Sequence, residues 1–409
     1  MPVTIDQALD HVLKTARPSG FEEVDLLASF GRTLANDVIS PDDVPPFANS
    51  AMDGFALRAA DQQGDRPRLR VVAELPAGHS IEEMLVSGAA VKIMTGAPLP
   101  PGADTVVQVE ATEMAGDDVV LSAPVVAGIN VRPAAEDVRR GDLLLSAGDV
   151  ISAANLGVLA SAGLARVEVA RRPRVAILAT GSELVPVDGF PGAGQIRNSN
   201  SFTAYGQALD AGAEPVLLGI ARDDAEVTRT LLRRALEEDV VVTSGGVSVG
   251  DYDFVKQVQE ELGVERRFWG VRTKPGKPLA FGVHGETPVF GVPGNPVAAM
   301  VTFEVFIRPL LLSMLGRSLV WRPWVWAAAA EPVRRTTDRP ELRRCLVHRR
   351  EERWVFTTTG PQGSGILSSM AVATGLVLVP TGFEGADTGE PLPVMLLSGS
   401  SDERPPFPE

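Results

Sequence analysis

Residues 240–256 read VVVTSGGVSVGDYDFVK and combine an apolar strand pattern, a glycine-rich loop and two carboxylates. Three consecutive valines predict a strand buried on both faces, which is typical of a parallel sheet. Gly245 and Gly246 then free the backbone, so that its N–H groups can converge on an anion. A tight turn would explain these glycines too, so the loop is only a weak sign of phosphate binding. Asp251 and Asp253 follow at once, and carboxylates beside an anion site need an explanation.

Strand and helix signals alternate on both sides of this stretch, from Arg174 onward. Asp223 or Asp224 is expected to cap the helix at 225–238, and Asn295-Pro296 begins the last helix with a cap and a first-turn proline. The other apolar strands of this region are RVAILAT (174–180), PVLLGI (215–220), PLAFG (278–282) and PVFGV (288–292). This alternation predicts a doubly wound parallel sheet with helices on both faces.

The regions on either side of this alternating part have different secondary-structure patterns. Residues 1–40 indicate two helices, the second around EEVDLLASF (22–30), and a further helix is predicted at 151–163 between Ser152 and Gly163. Short valine-rich runs among prolines and glycines indicate β structure in between. The predicted domains are a discontinuous helical domain (1–40 and 141–171), an inserted β domain (41–140), the α/β domain (172–317) and a C-terminal β domain (318–409).

Composition limits the possible functions. The 409 residues carry 38 basic and 52 acidic side chains, a net charge of −14 that argues against nucleic acid or an anionic membrane as partner. Cys345 is the only cysteine, so no internal disulfide can form, and a buried apolar role is expected for it. The most apolar stretch, 298–315, contains Glu304, Arg308 and Pro309, which argues against a membrane helix. The cytoplasm is the expected location.

Polar and charged residues that could bind a ligand follow the predicted strands. Ligands of open parallel sheets bind beyond the carboxyl ends of their strands, so these residues are candidates for the site. Thr180 to Glu183 follow one strand and Asp223-Asp224 follow another, although the aspartates could simply cap a helix. KPGKP (274–278) places two lysines around a Pro-Gly turn, which indicates a bound anion or else a solvated surface turn. Magnesium would reconcile acids with phosphate, since Mg²⁺ takes carboxylate and phosphate oxygens together.

These motifs resemble those of the molybdopterin molybdenumtransferases (MoeA, the E domain of gephyrin and its plant counterpart). The resemblance extends over essentially the whole chain, in the family's order. Besides 243–256 and KPGKPLAFG (274–282), the motifs that carry it are PPFANSAMDGFALR (45–58), VKIMTGAPLPPGADTVVQVE (91–110), RPAAEDVRRGD (132–142), GVPGNPVAA (291–299) and TTTGPQGSGILSSM (357–370).

The resemblance implies a four-domain protomer whose α/β domain is like the small molybdopterin adenylyltransferases and whose C-terminal domain is a β barrel. It implies a homodimer with each active site between the α/β domain of one subunit and the inserted domain of the other. The reaction implied takes adenylylated molybdopterin and molybdate, with Mg²⁺, to molybdenum cofactor and AMP. Transient contacts with the adenylyltransferase and with apo-molybdoenzymes are also expected.

Site residues follow from the same resemblance. The catalytic set is Asp53, Thr95, Asp137, Glu183, Asp223 and Asp253, of which Glu183, Asp223 and Asp253 would hold Mg²⁺. The substrate contacts are Gly245, Gly246, Ser248, Lys274, Lys277, Pro293, Pro296, Arg344 and Ser364. Several members have a lysine after the Phe-Trp pair where this chain has Gly270, so that lysine is dispensable or Arg272 replaces it. Arg343 competes with Arg344 for the anion contact.

Two other functions are compatible with the same fold: an adenylyltransferase and a non-catalytic scaffold. An adenylyltransferase would release pyrophosphate from ATP and molybdopterin, but it would need only the α/β domain. A non-catalytic scaffold would have no use for the acidic and lysine positions.

Overall fold

The computed structural model describes residues 2–222, 224–246 and 254–407. Helix α1 (Ile5–Leu13) begins at Thr4, whose side chain and that of Gln7 satisfy each other's backbone N–H groups. Its apolar face is buried in the core of the α/β unit. The first of the two helices that the sequence predicts within residues 1–40 is therefore present, but it packs on the α/β unit.

The second predicted N-terminal helix is wrong. Phe21–Asp25 is a strand (β1) that pairs antiparallel with 166–170, and only a 3₁₀ turn, Leu26–Ser29, follows it. Val24 lies opposite Val167, so a partner more than a hundred residues away overrides the local helical spacing. A two-residue strand, Val38–Ile39 (β2), completes this segment.

The inserted β unit contains one six-stranded sheet and a two-stranded one. The sheet order is β7-β4-β6-β5-β9-β8, and β3 pairs with β10. Small apolar cores pack on both faces of the larger sheet. The strands are Asn49–Ser50 (β3), Gly54–Leu57 (β4), Arg68–Leu75 (β5), Ala89–Ile93 (β6), Thr105–Gln108 (β7), Thr112–Ala115 (β8), Asp118–Leu121 (β9) and Val131–Arg132 (β10).

The chain then returns to its first strands. Leu143–Leu145 (β11) pairs with β2, and Arg166–Ala170 (β12) pairs with β1. Between them, helix α2 (Ala153–Ser161) begins at Ser152, which forms a capping box with Asn155, as the predicted cap requires. Strand pairs and one α-helix form this unit, and the helical domain expected from the sequence is therefore largely β.

A six-stranded sheet organises the α/β unit, in the order β16-β13-β17-β20-β19-β18. Four of its strands are parallel, whereas β18 and β19 extend it antiparallel, which the parallel prediction missed. The strands are Arg174–Thr180 (β13), Leu184–Val185 (β14), Ile196–Arg197 (β15), Glu214–Ala221 (β16), Val240–Ser244 (β17), Glu265–Trp269 (β18), Ala280–His284 (β19) and Thr287–Val292 (β20), with β14 and β15 paired outside the sheet.

Helices cover both faces of this sheet and make three layers. One core joins α1, α3 and the 296–314 helical segment, and a second joins α4 and α5. The helices are Asn200–Asp210 (α3), Ala225–Ala235 (α4), Phe254–Glu261 (α5), Pro296–Thr302 (α6) and Arg308–Met314 (α7), with the π-helical turn Phe303–Ile307 between α6 and α7. The segment Pro296–Met314 is apolar enough to cross a membrane, but 89% of its most apolar window is buried inside the fold, as in a core helix.

The C-terminal unit is a closed barrel in the order β21-β24-β23-β25-β27. It confirms the multidomain α/β and β fold class, including the C-terminal barrel, and its interior contains Cys345, whose thiol pKa burial raises to about 12. Its elements are Trp324–Ala329 (β21), Val333–Arg334 (β22), Glu341–Arg350 (β23), Arg353–Thr358 (β24), Ser368–Val372 (α8), Gly375–Val379 (β25), Gly385–Ala386 (β26) and Pro391–Leu396 (β27).

Candidate active site

One long cleft lies between the carboxyl edge of the α/β sheet and the barrel. The strands β13, β16, β17 and β20 end side by side, with Thr180 opposite Ala221 and Ser244 opposite Val292. Two connected cavities of ≈ 690 and ≈ 660 Å³ continue from this edge and share Pro293 in their walls. Each is large enough for a small-molecule ligand.

The first cavity contains the glycine loop and is here called the glycine end. Gly245 and Gly246 have positive φ values of 90° and 64°. A Cβ on Gly245 would lie 2.4 Å from the Thr180 carbonyl oxygen, so only glycine allows this close approach. Glu183 and Pro296 line the same cavity. Ser248 and Asp253 lie outside the described residues, as does Asp223.

Glu183 is exposed at the glycine end, and its carboxylate lies over Gly181. A Cβ at Gly181 would be 2.3 Å from Glu183 Oε2, so this glycine makes room for the carboxylate. In the described part of the chain no group of three or more metal-ligating side chains occurs. Glu183 is the one predicted magnesium ligand that the structure places.

The second cavity contains the KPGKP turn and is here called the cationic end. Five basic side chains and one acidic side chain line it: Lys274, Lys277, Arg339, Arg343 and Arg344, with Glu341. Ser364 and Pro293 also line it, as the resemblance implies. The strong local positive charge contrasts with the net charge of −14, so an anion is attracted locally.

The two lysines of the turn are held differently. Lys274 is half-buried, and its ammonium donates to Thr336 Oγ1. Lys277 is exposed, and no ion pair or hydrogen bond of its side chain occurs among the described residues. No described residue therefore occupies its three N–H donors, and all three can bind a ligand.

Arg344 does not present its guanidinium to the cleft as an anion contact would. The side chain is 1% exposed, and it donates to Ser369 Oγ at 2.9 Å and to the carbonyls of Pro361, Gln362 and Gly363 at 3.1, 3.2 and 3.1 Å. Burial lowers the pKa of the guanidinium. The geometry corrects the expected role: Arg344 anchors the loop 360–365, which carries Ser364.

Ser364 joins this loop to the α/β unit. Its carbonyl accepts a hydrogen bond from the Val297 N–H at 3.0 Å, in the first turn of α6. Asn295 precedes that helix and Pro296 begins it, but the Asn295 side chain makes no capping hydrogen bond. The backbone of the barrel loop thus satisfies a helix N–H group that the predicted cap leaves unpaired.

Three predicted residues of the inserted β unit lie apart from the cleft. Asp53 accepts hydrogen bonds from the Thr95 backbone N–H at 2.7 Å and from its hydroxyl at 2.8 Å, and these bonds lower the pKa of the Asp53 carboxyl. Asp137 is exposed, like the other two. None of the three lines either end of the cleft within this protomer.

Arg272, the alternative source of the charge that is absent at Gly270, lies apart from the described lining of the cleft. Its side chain is exposed and lines neither end of the cleft. Gly270 has φ +89°, which favours glycine at this position. The role of Arg272 stays a prediction.

Sequence reasoning missed Thr336, Arg339 and Glu341, which precede or begin β23. Thr336 lies 62 residues after Lys274, so no local pattern connects them. Glu341 is 2% exposed. Burial opposes its ionisation, but hydrogen bonds from Thr336 and Arg343 outweigh burial and lower the pKa of its carboxyl.

Comparison with known proteins agrees with this architecture. Family models match the MoeA N-terminal region (domain I and II) at residues 3–163, a probable molybdopterin binding domain at 176–313 and the MoeA C-terminal region (domain IV) at 327–397. The chain belongs to the MoeA family. The recognition made from the sequence motifs is confirmed.

Relatives and solved structures cover nearly the whole chain. A molybdopterin molybdenumtransferase of Bacillus subtilis is 33% identical, over 97% of this chain and 94% of the relative. Molybdopterin molybdenumtransferase 2 of Mycobacterium tuberculosis is 37% identical, over 92% and 95%. A crystal structure of a molybdopterin biosynthesis MoeA protein from Pyrococcus horikosii has a TM-score of 0.86 at 33% identity, covering 98% of this chain and 100% of that one. The MoeA-family chain is accordingly a transferase of molybdenum cofactor biosynthesis that acts on molybdopterin.

Proposed function

We propose that this cleft carries out the Mg²⁺-dependent insertion of molybdate into adenylylated molybdopterin, which yields molybdenum cofactor and AMP. The observation that carries the proposal is the division of one cleft into a glycine end and a cationic end. Molybdate is a compact tetrahedral dianion and suits clustered cations. The adenylate phosphate suits backbone N–H groups of a glycine loop.

The carboxylates fit magnesium as the metal. Mg²⁺ prefers oxygen ligands and is commonly held by one or two carboxylates together with substrate phosphates. Glu183 places a carboxylate at the glycine end, and Asp223 and Asp253 would complete the set. When bound, the ion would neutralise negative charge on the phosphates. Lys274, Lys277 and Arg343 at the cationic end would meanwhile hold molybdate, and Lys277 would contribute N–H donors that no described residue occupies.

The proposed active unit is a homodimer. Asp53, Thr95 and Asp137 lie on a separate surface, so a second subunit would be needed to bring them to Glu183 and Lys277. The expected cytoplasmic location, and transient contacts with the adenylyltransferase and with apo-molybdoenzymes, remain predictions.

Reconstitution of an apo-molybdoenzyme tests the function directly. The full chain, adenylylated molybdopterin, molybdate and Mg²⁺ should together restore activity to the apoenzyme and release AMP. Excess chelator should abolish both, and unchanged turnover in chelator would exclude the metal. A parallel arm supplies ATP and unmodified molybdopterin, where rapid pyrophosphate release would support the adenylyltransferase alternative instead.

A further inference from the structure

The KPGKP turn is attached to the first residues of barrel strand β23. Lys274 N–H donates to the Pro340 carbonyl at 2.9 Å, and Leu342 N–H donates to the Lys274 carbonyl at 2.8 Å. These two bonds make a short parallel bridge between the α/β unit and the barrel. The cationic end is therefore assembled from two units of the chain.

A buried carboxylate lies behind this junction. Glu341 accepts hydrogen bonds from the Thr336 N–H at 2.6 Å, from the Thr336 hydroxyl at 2.8 Å and from Arg343 Nε at 2.8 Å. The Thr336 hydroxyl in turn accepts from the Lys274 ammonium. An ammonium, a hydroxyl, a carboxylate and a guanidinium thus form one chain of hydrogen bonds along the cavity wall.

A carboxylate beside an anion site repels the anion, so attraction does not explain its presence. Its bonds suggest another role, because a fully satisfied buried network fixes the orientation of its members. Two N–H donors of Lys274 remain beyond the one given to Thr336. No hydrogen bond within the described residues occupies Arg343 Nη1.

We propose that Glu341 and Thr336 are positioning residues, which hold Lys274 and Arg343 so that their remaining N–H donors converge on the oxyanion. The proposal rests on the proposed function, since it takes the cationic end to be the molybdate site. Neither residue contacts the anion in this arrangement. Thr336 acts through Lys274, and Glu341 acts through Arg343 directly and through Lys274 by way of Thr336.

Glu341→Gln separates positioning from simple electrostatics, because the two predict opposite signs. Removal of a negative charge should by Coulomb's law alone tighten molybdate binding. Loss of positioning should instead weaken it, by about three- to tenfold in Kd, the range for a neutral hydrogen bond. Calorimetric titration of sodium molybdate into the full chain measures the sign, and tighter or unchanged binding would overturn the proposal.

Thr336→Val provides a second variant at an exposed position, where the fold should tolerate the change. Molybdate binding should weaken about three- to tenfold, and Thr336→Ser should restore it because the hydroxyl returns. Thr357→Val, the same change on β24 outside the cleft, is the matched control and should bind as the unmodified chain does. Equal weakening in the control, with equal loss of Tm, would reduce Thr336 to a structural role and overturn the proposal.

A double-mutant cycle tests whether Thr336 acts through Lys274. In a Lys274→Ala background, Thr336→Val should have no further effect on molybdate Kd, whereas independent sites would add. Additive effects would overturn the proposal. If the unmodified chain bound no molybdate at all, the proposed function of the cleft would fail first. If Lys277→Ala weakened binding but Glu341→Gln and Thr336→Val did not, the positioning role alone would fail.

Discussion

The cations of the cleft differ in what surrounds them, and this decides what each can do. Lys277 is exposed with its donors free among the described residues, whereas Arg344 is buried and donates to four protein acceptors. A group of the first kind can bind a ligand. A group of the second kind holds the local structure, although both belong to the same cavity wall.

Lys277→Ala should weaken the binding of molybdate much more than the binding of AMP. A charge-assisted hydrogen bond lost from the complex costs about 1.5–3 kcal/mol, or roughly a 10- to 150-fold higher half-saturating molybdate concentration. Lys277→Arg should restore binding only in part, because a planar fork does not reproduce a compact ammonium. Molybdate titration with AMP release as the signal, beside calorimetry with AMP, measures both. Lys14→Ala, at an exposed lysine outside the cleft, is the control. If Lys277→Ala instead lost AMP affinity and kept its molybdate dependence, the lysines would bind the nucleotide phosphate and the glycine loop would bind molybdate.

At the scale of elements, helix α4 begins directly after two adjacent aspartates, Asp223 and Asp224, for which we expect different roles. Asp224 is its N-cap and accepts from the N–H groups of Glu226 and Val227, both at 2.9 Å. One of the two predicted caps is thus confirmed. Asp223 lies outside the described residues, and its metal role remains a prediction.

Separate substitutions of Asp223 and Asp224 should distinguish a helix cap from a metal ligand. Asp224→Ala should lower the free energy of unfolding by about 1 kcal/mol, the usual cost of a lost N-cap, and leave Mg²⁺-dependent turnover largely intact. Asp223→Asn should do the reverse, with unchanged stability and strongly reduced turnover. Denaturant unfolding and Mg²⁺ titration on the same preparations test this. Equal loss of turnover in both variants would contradict the assignment.

The loop 360–365 is the element that depends on Arg344. Arg344→Met should leave three carbonyls without their donor and lower the free energy of unfolding by about 2–4 kcal/mol. Arg350, at the exposed end of the same strand, supplies the control, and Arg350→Met should destabilise less. Denaturant midpoints and limited proteolysis at the loop measure the effect. A variant with full stability but weak molybdate binding would return Arg344 to the role of a direct anion contact.

At the scale of the whole molecule, the predicted catalytic and substrate-binding residues lie on two surfaces. Asp53 and Thr95 are joined to each other on the inserted unit, while Glu183 and Lys277 line the cleft. A symmetric dimer can bring such surfaces together twice, once for each active site.

Mixed dimers should therefore regain activity from two inactive chains. When Asp53→Ala and Lys277→Ala chains are coexpressed, each heterodimer has one site with both lesions and one with none, so random pairing should restore about a quarter of the sites. Each variant alone should be nearly inactive. Turnover of the purified mixture tests this, with sedimentation to measure assembly. A fully active monomer at micromolar concentration would refute the shared site.

Local sequence determined those features whose causes lie within a few residues. The apolar strands 174–180 and 240–244, the glycine loop and the cap at Ser152 each follow from backbone preference or a neighbouring hydrogen bond. The family motifs likewise identified the fold class and the transferase activity without coordinates. These signals suffice because each is local or recurs in a fixed order along the chain.

Tertiary structure alone decided which distant groups meet. Strand β1 replaces a predicted helix because it pairs with β12, and Thr336 reaches Lys274 across 62 residues of chain. The burial of Arg344 is equally invisible in the sequence, because the groups that cover it, Pro361 to Gly363 and Ser369, lie 17 to 25 residues further along the chain. Arg344 and Cys345 are adjacent on β23 and point to opposite faces, so Arg344 lies outside the barrel interior and becomes buried only when the loop 360–365 and α8 pack over it.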